Sequence, residues 1–236
     1  MNMGKRGGEW RRALGGLLLP GTCPVCGRPM AEGEEAMCDD CWRQMPRTGY
    51  WQWPGNPMEL RLWGRMPLVG AAALFYYRRG SGYAGMVKEM KYVGRRDLGV
   101  ALGRRMAEEM GACGWLREVE VIVPVPLHWR RLWSRGFNQS LALAEGLAGE
   151  MGIEVGGDWL CRWRRTEHQV GRPGLERWAN LEGSICLRRP GGLAGRHVLL
   201  LDDVMTTGAT LTACADALRG EKGIRLSVMT LAVADE

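Results

Sequence analysis

The segment from Val198 to Leu211 constrains this chain more than any other. Four apolar residues, Val198 to Leu201, read as a fully buried strand that ends on two adjacent carboxylates, Asp202 and Asp203. After Val204 and Met205 come Thr206, Thr207, Gly208, Ala209 and Thr210, hydroxyls on flexible backbone that open into a helix expected from Ala209 to Leu218. A buried strand that delivers acids to its end and turns at once into a helix belongs in an open α/β sheet, where ligands gather at that edge. Backbone amides at the helix start, joined by threonine hydroxyls, can wrap a phosphate without a Lys or Arg. Two acids beside such a cradle repel its guest unless something neutral or cationic stands between. A ribose 5-phosphate meets that demand: its phosphate enters the threonine loop and its ring hydroxyls donate to the carboxylates. Magnesium can then join those hydroxyls to a pyrophosphate.

The remaining periodicity agrees. Val69 to Tyr77 reads as a strand. Tyr83, Met86, Val87 and Met90 recur at helical spacing with Lys88 and Lys91 on the other side, and Leu98, Ala101, Leu102, Met106 and Met110 mark a second helix. Glu120 to Pro126 has the look of a buried parallel strand ending in prolines, Gln139 to Met151 of a helix, and Leu226 to Val233 of a last strand. Such alternation predicts an α/β domain with a mostly parallel sheet flanked by helices. No run reaches the length of a membrane span. Arg11 and Arg12 before Ala13 to Pro20 look superficially like a secretory signal, but Gly15 and Gly16 break the apolar stretch, and the chain is read as cytoplasmic.

Four of the eight cysteines form two hooks, Cys23 with Cys26 and Cys38 with Cys41. Each Cys-x-x-Cys turn brings two thiolates to one face, Gly27 suits the open backbone of such a knuckle, and four thiolates close a structural zinc site. Two disulfides or a redox pair are the alternative, disfavoured where thiols stay reduced. Cys113, Cys161, Cys186 and Cys214 share no such spacing and read as plain buried residues. A small module over residues 1–65 builds little core, so metal is expected to supply its folding free energy. Residues 66–236 then form the α/β domain, with the boundary near Trp63 to Pro67.

Asp202 to Thr210 resembles the PRPP-binding motif of type I phosphoribosyltransferases. From about Leu17 to Ala234 the chain is similar to the ComF family, which includes the ComFC competence and GntX proteins. The resemblance is carried by the four-Cys set, Pro124 to His128, Arg135 to Gln139, and Gln169, Arg177 and Asn180. It implies a type I phosphoribosyltransferase-like, Rossmann-like fold behind a zinc-ribbon-like module; competence members are tied to uptake of single-stranded DNA during natural transformation. It further implies that Asp202 and Asp203 hold the ribose hydroxyls, that Thr206, Thr207, Gly208, Ala209 and Thr210 hold the 5-phosphate, and that Pro126, Leu127 and His128 form the pyrophosphate loop. Ser184 and Ile185 depart from the Ala-Phe common in the family, and no pattern identifies a nucleobase pocket.

A net charge of +6 biases the chain towards polyanions, and residues 78–105 hold eight Lys or Arg against two acids. Arg130, Arg131, Arg135, Arg165, Arg172 and Arg177 are candidates to stabilise a departing pyrophosphate, Arg135 with Asp202 and Asp203 forming the catalytic set; a solvated basic surface is the alternative. His128 is either a pyrophosphate donor or an anchor of its loop. Trp is abundant, at 11 against 2 Phe. Its interleaving with Arg in Trp129 to Arg135 and Trp159 to Arg165 fits stacking on a single strand, or an aromatic core under arginine stems. The expected function is a PRPP-binding protein that assists single-stranded DNA handling in competence. The alternatives are an active transferase of unknown acceptor and a nucleotide sensor without turnover.

Overall fold

Apolar strands separated by amphipathic helices call for a sheet covered on both faces. The computed structural model describes residues 21–162 and 185–234. Its main sheet contains β1 (Gly70–Tyr77), β2 (Val121–Pro124), β3 (Glu154–Val155), β6 (His197–Met205) and β7 (Arg225–Ala234). The strand order is β1-β7-β6-β2-β3, all parallel. Every residue of β2 is buried, as are His197 to Leu201 of β6 and Leu226 to Val233 of β7.

Between β1 and β2 lie α3 (Gly82–Tyr92), α4 (Arg96–Met110) and the short α5 (Gly114–Arg117). Between β2 and β3 come α6 (Trp129–Arg135) and α7 (Gln139–Met151), and α8 (Ala209–Ala217) joins β6 to β7. The β2-to-β3 and β6-to-β7 crossovers step in opposite directions. Right-handed connections therefore put α7 and α8 on opposite faces, and the strand order switches between β2 and β6.

Helices α4 and α7 approach closely because glycines face each other. A Cβ on Gly146 would lie 2.0 Å from the Val100 carbonyl oxygen, and one on Gly103 would lie 2.2 Å from that of Leu143.

The N-terminal part holds α1 (Asp39–Arg43), a single 3-10 turn (Tyr50–Gln52) and α2 (Pro57–Leu62). It shares its core with the sheet, since Cys23, Met37, Cys41, Met58, Leu62, Phe75 and Leu200 belong to one buried cluster. Buried Asn56 caps α2 through Oδ1 and donates through Nδ2 to the Ala71 carbonyl at 2.8 Å. Arg47 pairs with Glu109 at 2.9 Å and donates to the Trp42 carbonyl at 2.8 Å.

The structure removes one alternative left open by the sequence and corrects one reading. Trp129 to Arg135 is a helix with no buried residue, so the arginine stems do not cover an aromatic core there; Trp133 is 88% exposed. Strands β4 (Leu160–Arg162) and β5 (Ile185–Leu187) pair antiparallel, with Cys161 opposite Cys186 in a disulfide. That corrects the reading of these two as plain buried residues: strand register brings them together, and spacing along the chain does not reveal register. Cys113 and Cys214 are buried free thiols, as expected.

Candidate functional site

The prolines explain why a site opens between β2 and β6. The β2–β6 ladder ends at the pair Pro124 and Leu201, followed by one last bond from the Val125 N–H to the Leu201 carbonyl at 2.9 Å. Proline cannot extend it, yet β6 stays paired with β7 as far as Met205. Asp202 and Asp203 thus stand within the strand, beside a gap in the sheet at its switch point.

A cavity of about 180 Å3 fills this gap. Its lining includes the expected Asp202, Asp203, Thr210, Pro126, Leu127, Arg131 and Arg135, together with Lys91, Ser140 and Arg162. A second concavity of about 40 Å3 is lined by Thr206, Thr207, Gly208, Ala209 and Thr210, and Asp202 borders both. The sugar-phosphate order read from the sequence, carboxylates then cradle, is therefore contiguous in space.

Gly208 adopts φ 76° as the residue preceding α8, a left-handed conformation that favours glycine, and a Cβ there would meet Leu62 Cδ2 at 2.8 Å. The Arg65 guanidinium donates to the Thr207 carbonyl at 2.7 Å, gripping the loop from outside.

Arg135 is held by its neighbours. It donates to Gln139 Oε1 at 2.8 Å, and its guanidinium lies 5.2 Å from the centre of the Tyr92 ring. Asn138 caps α7 through Oδ1 and donates to the Val125 carbonyl at 3.0 Å, tying the end of β2 to the helix. His128 caps α6, its Nδ1 accepting from the Arg130 N–H at 3.3 Å, while Pro126 and Leu127 line the cavity. Arg165, Arg172, Arg177, Gln169, Asn180 and Ser184 lie outside the described residues.

Asp202 Oδ1 accepts from the Ser140 hydroxyl at 2.9 Å and from the Asp203 N–H at 2.8 Å. Burial, then the neighbouring Asp203 charge, push the Asp202 carboxyl from 3.8 up to about 7. Asp203 pairs with the Lys91 ammonium at 3.0 Å, their side chains 13% and 20% exposed. The amphipathic pattern puts Lys91 on the solvent side of α3; only the approach of α3 to the sheet edge reveals its place. Magnesium asks for near-octahedral oxygens at about 2.0–2.1 Å. With one carboxylate held by an ammonium and the other by a hydroxyl, this pair does not fit that ion.

The four-Cys set does fit a metal. Sγ atoms of Cys23, Cys26, Cys38 and Cys41 all lie within 4.8 Å of one another, and those of Cys26 and Cys38 are 3.7 Å apart. A tetrahedron of zinc–sulfur bonds of about 2.3 Å has edges of about 3.8 Å. The Cys38 N–H donates to Cys23 Sγ at 3.4 Å. Hydrogen bonds from the side chain and backbone of Arg28 hold the Cys26 thiol down at about 6, ready as a thiolate, whereas burial pushes Cys41 up. Gly27 takes φ 75° at the turn of the first hook.

A parallel α/β sheet with this motif at its switch point, joined to a four-thiolate knuckle, defines a phosphoribosyltransferase-like protein with a zinc module. Residues 14–51 match the double zinc ribbon domain. The chain is 30% identical over 213 residues to DNA utilization protein YhgH of Salmonella typhimurium, covering 86% of this chain and 92% of that one. It is 27% identical to competence protein ComFC of Bacillus subtilis, covering 87% and 74% respectively. The chain belongs to the ComF family. Among solved structures, a glutamine PRPP amidotransferase from B. subtilis overlaps 60% of this chain and 30% of its own, at 19% identity and a TM-score of 0.41. The fold class follows from the strand order and not from that overlap.

Proposed function

We propose that this chain binds PRPP in the cavity between β2 and β6 and assists the handling of incoming single-stranded DNA in natural transformation. The observation that carries the first half is the joining of two carboxylates, a threonine-glycine cradle and cationic side chains in one continuous lining. Ribose hydroxyls donate to Asp202 and Asp203, the loop from Thr206 to Thr210 receives the 5-phosphate, and Arg131 and Arg135 face the pyrophosphate. The names of the relatives, a DNA utilization protein and a competence protein, support the second half. So does the surface beside the cavity, where exposed Trp133 and Tyr92 stand among Arg130, Arg131 and Arg135. In this reading the protein is cytoplasmic, residues 1–65 are the zinc-bearing module and residues 66–236 bind the ligand. No helix among the described residues is long and apolar enough to cross a membrane.

Labelled single strands are expected to bind at low salt, with affinity falling steeply as salt rises, and Trp133→Ala is expected to weaken binding several-fold. Fluorescence anisotropy reads both. No binding at low salt, or indifference to salt, refutes the DNA role.

The cations around the carboxylate pair also favour a second reading, an active transferase. Departure of pyrophosphate leaves positive charge on the sugar ring beside Asp202 and Asp203 and negative charge beside Arg131 and Arg135. Release of labelled pyrophosphate from PRPP against a panel of bases supports turnover; binding without release across the panel rejects it.

A further inference from the structure

Two carboxylates beside a phosphate cradle pose a charge conflict that, when the sequence is read alone, a sugar between them resolves, with magnesium joining its hydroxyls to a pyrophosphate. The structure offers a different solution. Lys91, carried on α3 far from the motif in sequence, reaches the cavity and sets its ammonium 3.0 Å from Asp203 Oδ2. Asp203 is its partner among the described residues. An ammonium carries three N–H bonds, more than one carboxylate oxygen takes up, so it has donors to offer a ligand's oxygens. Asp202 carries two hydrogen bonds on Oδ1, and burial holds its proton to near neutral pH, so it offers little negative charge to a metal. A divalent ion placed on Asp203 would stand against an ammonium already there, at a site too enclosed for water to screen the repulsion well.

We propose that Lys91 takes the place of a divalent cation at the carboxylate pair, neutralising Asp203 and contacting the pyrophosphate, so that this site binds PRPP without magnesium. The inference rests on the PRPP reading above. An ammonium suits the task as a compact point charge that binds phosphate oxygens without fixed coordination geometry. It also keeps the two acids from repelling an arriving phosphate, and it comes pre-positioned by a helix rather than recruited from solution.

Calorimetry with PRPP tests this on the zinc-loaded full chain, in buffer freed of magnesium over a chelating resin so that the four-Cys metal is not stripped by a soluble chelator. Wild-type affinity is expected to change by less than about threefold when magnesium is added. Lys91→Met is expected to lose about tenfold or more without magnesium and to recover in part with it, because the freed carboxylate becomes a ligand for the ion. Lys91→Arg keeps the charge and is expected to remain indifferent to magnesium. Zinc content and melting temperature verify each variant's fold. A wild-type protein that needs magnesium, with about tenfold loss in its absence, overturns the inference while leaving the PRPP reading intact. Equal affinity of Lys91→Met and wild type without magnesium also overturns it. No heat from wild type in either buffer overturns the PRPP reading and this inference with it.

Discussion

Asp202 holds a proton that an ordinary aspartate would have lost. Its carboxyl is raised from 3.8 to about 7 by burial and by Asp203, so between those values the folded chain binds a proton that the unfolded chain releases. Stability from this residue is therefore highest in acid and declines as pH rises through that window. Asp202→Asn removes the effect while its side-chain oxygen still accepts from Ser140 and the Asp203 N–H. The variant is expected to melt several degrees above wild type at pH 8, to keep only part of that advantage at pH 5 and to lose it below about pH 4, where Asp202 is protonated in both states, a difference read by calorimetry. Parallel melting curves across pH would refute it. The contrast between legible and hidden site residues belongs to this scale as well. Asp202 to Thr210 is readable because strand, carboxylates and loop follow one another along the chain. Lys91 and Ser140 arrive from α3 and α7, and nothing in an amphipathic helix pattern says which polar residue faces a neighbouring strand edge.

Helix α7 orients the cavity through Asn138, Gln139 and Ser140, and its own position depends on the glycine notch with α4. Gly146→Ala improves helix propensity by up to about 1 kcal/mol, yet forces a methyl against the Val100 carbonyl, and the overpacking is expected to prevail with a net loss of about 1–3 kcal/mol. Gly149, on the same helix, has open space where a Cβ would stand, with nothing within 4 Å, so Gly149→Ala is expected to stabilise by up to about 1 kcal/mol. Urea midpoints of the two variants should move in opposite directions; a common direction would refute the notch. Strands β1, β2, β6 and β7 and the long helices are legible because burial imposes apolar runs or periods on them, whereas β3, two residues with no buried one, is not. Helix α6 is not, having no buried face to leave a pattern, and β4 and β5 are too short to show alternation.

The cysteine module is built into the whole molecule more firmly than an appendage would be. Tyr83 on α3 donates to the Cys41 carbonyl at 2.8 Å, and Arg47 connects the Trp42 carbonyl to Glu109 on α4. About one zinc per chain is expected by elemental analysis, lost in a Cys38→Ser, Cys41→Ser double variant. Because the core is continuous, that loss is expected to lower one common melting transition by several degrees rather than create a separate early one; a separate transition would show the module unfolding by itself. The grip of Arg65 on the Thr207 carbonyl gives this continuity a particular meaning. The polypeptide leaving the knuckle passes behind the loop from Thr206 to Thr210 and braces it before entering β1, so the sheet-bearing part is no interchangeable cassette. Grafting residues 66–236 behind a foreign leader would discard that brace, and hybrids between family members should be spliced upstream of α2.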